Sequence, residues 1–192
     1  MARYQQRHSA NRFLPKPISA SQLGLLCRLS LVGYQDDVDG LSTAIQHTLL
    51  YCVVNRVEEI PAGIYAYNPH KHGCELVTAG DMRKELQAAQ RSWSSNMYDP
   101  SVCFFAVGSY TAGFQQFGDR WYRMQNMEAG MLVQRLYLAA ADLQVGCRAS
   151  LGFYQSATHR LLALPKNWDV LIQIMVGPEA PSYASYEQSL RC

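Results

Sequence analysis

Charge is scarce in this sequence: Asp, Glu, Lys and Arg make up 17% of its 192 residues, against about a quarter in an average soluble domain. The net charge is only +2 and no run of Lys or Arg occurs, so nucleic acid is not an expected partner. Long apolar runs are missing too. The longest, over 48–55 and 102–108, hold about eight residues, well short of the roughly 20 that a membrane helix needs. No membrane association is expected. The polar, basic opening Met1-Ala-Arg-Tyr-Gln-Gln-Arg-His8 lacks the apolar segment of a secretion signal. None of the six cysteines forms a Cys-x-x-Cys pair, and at least three sit in apolar, strand-like runs. There a thiol behaves as a small hydrophobe, and a reduced, cytoplasmic protein is the expectation. Walker, Gly-x-Gly-x-x-Gly, His-Glu-x-x-His and Gly-x-Ser-x-Gly patterns are all absent. His70-Lys-His72 reads as a solvated hairpin turn, so no metal is expected.

Hydrophobic residues supply 48% of the chain, enough for a sizeable core in one domain over 1–192. With so little charge for the surface, an obligate oligomer is expected. Two prolines near residue 16 stop any early helix. Ser19 or Ser21 can cap a helix over 22–32, and 33–45 reads as a loop. A strand over 48–54 precedes a hairpin of 63–67 and 74–77. A helix over 82–91 and a continuous apolar strand over 101–108 follow. The strongest helical pattern runs through 117–145 without a proline. Its apolar residues go round much of its circumference, which predicts burial on more than one side. A short helix over 156–164, a strand over 168–176 and an irregular tail over 178–192 complete an α+β plan.

Arg7-His8-Ser9 offers a planar guanidinium fork and a hydroxyl, the groups that hold a phosphate. A basic arm in solvent is the other reading these three residues allow. Around them, Arg7-His-Ser-Ala-Asn11-Arg-Phe with Pro17-Ile18 resembles the opening of the nitroreductase superfamily. Ser42-Thr-Ala44-Ile-Gln46-His47 resembles that family's loop over the flavin ring. Ile60-Pro-Ala-Gly63-Ile-Tyr65-Ala-Tyr67 is similar to a hairpin of the SagB-type dehydrogenases. Phe117-Gly118-Asp-Arg120-Trp-Tyr122-Arg123, and the helix through Glu128, Gly130, Gln134 and Leu138-Ala-Ala140, resemble two further segments of those dehydrogenases.

The resemblance implies a nitroreductase-like FMN fold, with a central mixed sheet packed by helices and the long helix at a homodimer interface. It implies FMN binding by Arg7, His8, Ser9, Asn11, Ser42, Ala44, Gln46, Leu151, Gly152 and Arg191. The backbone of Leu151-Gly152 would face the flavin's hydride-accepting nitrogen, and the tail would reach the cofactor or a partner subunit. The implied reaction is dehydrogenation of thiazoline or oxazoline rings to azoles. The substrate would be a peptide or carrier-protein-bound natural product, with a biosynthetic synthetase or cyclodehydratase as a possible partner. Gln116-Phe117 stands where peptide-modifying members keep a catalytic Lys-Tyr pair; Tyr122 is the nearest replacement candidate for the base, with Asp119 and Glu128 as further acids nearby. An NAD(P)H-dependent nitro or quinone reductase, and an inactive scaffold, are the alternatives.

Overall fold

A computed structural model describes residues 7–32, 48–92 and 95–181. Helix α1 (Ala20–Ser30) starts two residues earlier than expected because Ser19 builds a full capping box. The Ser19 hydroxyl accepts from Gln22 N at 3.1 Å while Gln22 Oε1 accepts from Ser19 N at 2.9 Å. Such a cap is worth about 1 kcal/mol. Strand β1 (Thr48–Val54) is followed by the hairpin β2 (Gly63–Asn68) and β3 (Gly73–Ala79), a short helix α2 (Arg83–Ala88) and strand β4 (Val102–Gly108). Then come α3 (Phe114–Phe117), the long α4 (Arg120–Asp142), β5 (Gly146–Ser150), α5 (Gln155–Leu161) and β6 (Asp169–Gly177).

The six strands form one sheet in the order β3-β2-β1-β4-β6-β5. The α+β plan expected from the sequence holds, with one correction. Among the described residues every strand pairing is antiparallel, not mixed. Direct hairpins join β1 to β2 and β2 to β3, and the helical connections each return a strand against its neighbour's direction. The one parallel contact among the described residues is an isolated bridge, Ile18 to Val57.

All seven residues of β4 are buried, because the strand lies mid-sheet with helices over both faces. Val102, Phe104 and Ala106 face α1 and α4, with Leu26, Leu132 and Leu136. Cys103, Phe105 and Val107 face the opposite layer, with Leu86, Phe153 and Leu162. The period of two thus divides one apolar run between two cores.

The helix expected over 117–145 forms as one element over Arg120–Asp142, starting three residues later. Gly118 (φ +56°) separates it from the short α3, in a backbone region that glycine enters without strain. Beyond the break, Trp121 is buried and donates its indole N–H to Ser109 O at 2.8 Å. Among the described residues no helix is long and apolar enough to cross a membrane.

Candidate active site

The N-terminal arm is pinned across the far end of the sheet. Ala10 N donates to Cys147 O at 2.9 Å, Leu14 N to Pro178 O at 2.8 Å, and Ala180 N to Arg12 O at 3.0 Å. A Cβ on Gly146 would stand 2.9 Å from the Ala10 Cβ and 3.0 Å from that of Glu179. The absent side chain therefore lets the arm lie directly on β5.

This docking brings Arg7 and Ser9 to Tyr137, near the end of α4. The Arg7 guanidinium carbon sits 5.4 Å from the centre of the Tyr137 ring, within cation–π range. The Tyr137 hydroxyl donates to Ser9 Oγ at 3.4 Å and accepts from Ala149 N at 2.9 Å. A phenol otherwise buried in the core thus ties the arm, the long helix and β5 together. Arg148, between Cys147 and Ala149 on β5, turns to the opposite face of the sheet and donates to Asn11 O at 3.4 Å. Burial pushes the Cys147 thiol well up, partly offset by the Arg7 charge.

His8 and Asn11 turn elsewhere. His8 Nε2 lies 2.7 Å from Glu179 Oε2, and Asn11 N donates to Glu179 Oε1 at 3.4 Å. Both therefore hold the carboxylate of Glu179 rather than extend the Arg7–Ser9 pair.

The cradle continues along the same strand. Ala149 and Leu151 are two residues apart, roughly 7 Å of extended chain. Leu151 is exposed, at 68% of its surface. Gly152 is clamped by Arg91 N donating to its carbonyl at 2.8 Å, and Tyr154 N donates to Ala89 O at 2.7 Å. Beneath this turn the buried Gln90 and Gln173 exchange amide hydrogen bonds at 3.1 and 3.2 Å. The N–H of Gly152 donates to Ser150 Oγ at 3.0 Å.

Tyr122 is not part of this group. It stands 58% exposed on the first turn of α4, its ring 5.0 Å from that of Tyr110. Fifteen helical residues separate it from Tyr137, roughly 22 Å along the axis. Phe117 stacks on Trp121, ring centroids 6.0 Å apart. Ser42, Ala44, Gln46 and Arg191 lie outside the described residues.

The model of the nitroreductase family matches residues 4–178 of this chain. This chain belongs to the nitroreductase family. It is an oxidoreductase family whose members typically bind FMN and are commonly dimers. A candidate nitroreductase of Methanocaldococcus jannaschii is 27% identical over 123 residues, 64% of this chain and 61% of that protein. A candidate nitroreductase structure from Anabaena variabilis superposes with a TM-score of 0.82 at 23% identity, covering 93% of this chain and 38% of the other. The Escherichia coli microcin synthetase complex McbBCD, with truncated pro-MccB17 bound, superposes with a TM-score of 0.75 at 18% identity. That match covers 91% of this chain and 70% of the synthetase chain. These two likenesses establish the fold. The chain thus spans about three fifths of the curated relative and less than half of the Anabaena protein.

The residues present suit the family's cofactor. Arg7 and Ser9 supply a guanidinium group and a hydroxyl at one arm-and-strand junction, donors of the kind that a phosphate monoester takes. Sequence reasoning missed Tyr137, Arg148 and Ser150. The role of Tyr137 arises only from the docking of β5.

Proposed function

We propose that this nitroreductase-family chain is an FMN-dependent dehydrogenase that aromatises azoline rings on a peptide or carrier-bound substrate. The observation that carries its flavin half is the continuous run from the Arg7–Ser9–Tyr137 cradle to the Leu151-Gly152 turn. The ring-oxidising half is supported by the motif order from Phe117 to Ala140 and by the fold shared with the peptide-bound microcin synthetase.

In this reading Arg7 and Ser9 hold the phosphate, and the backbone of Leu151-Gly152 lies along the ring edge. Bound FMN would supply the acceptor for a hydride equivalent, with oxygen as the final oxidant. Ser42, Ala44, Gln46 and Arg191 would complete the cofactor's surroundings. Ser150 Oγ occupies the Gly152 N–H, so a rotation of that hydroxyl would free the N–H for the flavin. The chain would act as a single domain and a cytoplasmic homodimer. Exposed Leu25, Leu29 and Val32 on and after α1, and Met127 on α4, are apolar surface that a second copy would cover.

The test is the visible spectrum of the purified protein and its response under anaerobic conditions. A flavin band bleached by a thiazoline-containing peptide and unchanged by NAD(P)H is expected. Bleaching by NAD(P)H alone would mark a conventional reductase, and no flavin band after incubation with FMN would overturn the reading.

Tyr122 is proposed as the proton acceptor. Since it stands roughly 22 Å along α4 from its own cradle, it would serve the site of the other protomer. Tyr122→Phe is expected to slow ring oxidation about 100-fold or more, with FMN retained. Wild-type turnover would eliminate it as the base.

A further inference from the structure

The only group of three or more potential metal ligands among the described residues lies away from the cradle, on the face of the sheet under α1. Cys27 comes from α1, Cys52 from β1 and Cys74 from β3. Cys52 is paired with Tyr65 and Cys74 with Tyr67, so the sheet's alternation turns both cysteines to the same face. The three sulfur atoms all lie within 4.8 Å of one another, with Cys27 Sγ and Cys52 Sγ 3.8 Å apart. Zinc–thiolate bonds of about 2.3 Å in tetrahedral geometry set sulfur atoms roughly 3.8 Å apart.

We propose that Cys27, Cys52 and Cys74 bind one zinc-type divalent cation, with a fourth coordination position open toward the adjoining cleft.

Three free thiols packed as hydrophobes would account for Cys27 and Cys52, which are fully buried. They do not account for Cys74, whose residue is exposed on an exposed edge strand while its sulfur turns inward onto the other two. Beside Cys74 a cleft of about 330 Å³ is lined by Gly24, Ile60, Tyr65, Tyr67 and His72. It offers the entry path and room for a solvent or ligand atom on the metal. His72 is oriented there, its Nδ1 2.7 Å from the Tyr67 hydroxyl. The three thiols would release their protons to solvent as they coordinate the cation. A divalent ion leaves a net charge of −1 on three thiolates, whereas a monovalent ion would leave −2 in an apolar setting. Charge burial therefore favours the divalent ion.

The test is titration of the full, reduced chain with Zn²⁺ in competition with a chromophoric chelator. One equivalent per chain is expected. Cys74→Ser, at a surface position, should lower the affinity by about tenfold or more. Cys103→Ala, on the opposite face of the sheet, should leave zinc affinity unchanged. A cooperatively melting wild type that takes up no zinc would overturn the site, as would equal affinity in Cys74→Ser. Neither result depends on whether the protein binds FMN.

Discussion

Trp121→Ala is expected to destabilise the protein by about 3–5 kcal/mol, in the range for emptying a large buried aromatic site. Trp121 is 1% exposed and wedges between α4 and the loop after β4. A Cβ on Gly113 would stand 2.3 Å from its ring, so the loop already touches the indole and has little room to collapse further. Trp121→Phe separates volume from hydrogen bonding. It keeps most of the packing against Gly113 and Phe117 but removes the N–H that Ser109 O accepts at 2.8 Å. That carbonyl is not stranded. The Gln125 amide, with its nitrogen toward Ser109 O at 3.3 Å and its oxygen toward Ser109 N at 2.9 Å, grips the same residue. Trp121→Phe should therefore cost only about 1–2 kcal/mol. Denaturant melts of the three proteins measure both values. A loss below about 1 kcal/mol for Trp121→Ala would show that the loop is not fixed by the indole. The consequence reaches the candidate base, because this loop carries Tyr110, whose ring packs on Tyr122.

The pattern of apolar residues made most of this fold readable. A run such as Val102–Gly108 can only be a strand covered on both faces, and it is. Helix ends were less legible, because caps and breaks depend on single residues. Ser19 drew α1 back to Ala20, and Gly118 held back the start of the long helix. Strand β5 gave no warning. Gly146-Cys-Arg-Ala-Ser150 is short, carries no β-branched residue and lies at the sheet edge, where packing selects little. Missing β5 meant missing Tyr137, Arg148 and Ser150, whose partners exist only once that strand is paired. The motifs pointed to Arg7, Ser9 and Leu151-Gly152 without it, because those positions were picked by local residue type. They also suggested His8 and Asn11, whose attachment to Glu179 depends on the antiparallel bridge between Phe13 and Glu179 and could not be read locally. The three-cysteine group was hidden for a related reason. Its members come from a helix and two strands that are not neighbours in the sheet, so no spacing along the chain announces it.

Arg7→Ala should weaken FMN binding by about 10- to 100-fold, the loss of charge-assisted bonds to a phosphate. The structure makes this a test of the cofactor contact more than of folding. The arm is held by backbone bonds at Ala10, Leu14 and Ala180, none of which involves the Arg7 side chain. What that side chain does make is a cation–π contact with Tyr137, worth about 0.5–1 kcal/mol at a partly exposed site. Stability should fall by no more than that. Arg7→Lys retains the charge but not the planar fork, so its affinity should lie between wild type and Arg7→Ala. Ser9→Ala should cost less, about 0.5–1.5 kcal/mol, for one hydroxyl contact. Quenching of flavin fluorescence on titration of apoprotein gives all four affinities, and thermal melts of the same samples give stability. An Arg7→Ala affinity equal to wild type would remove the phosphate from this cradle. If affinity instead fell in proportion to a large loss of stability, Arg7 would be shown to hold the arm in place without touching the cofactor. Strong salt dependence in wild type that is reduced in Arg7→Ala would complete the case, since added ions screen a charged contact and leave apolar ring contacts largely untouched.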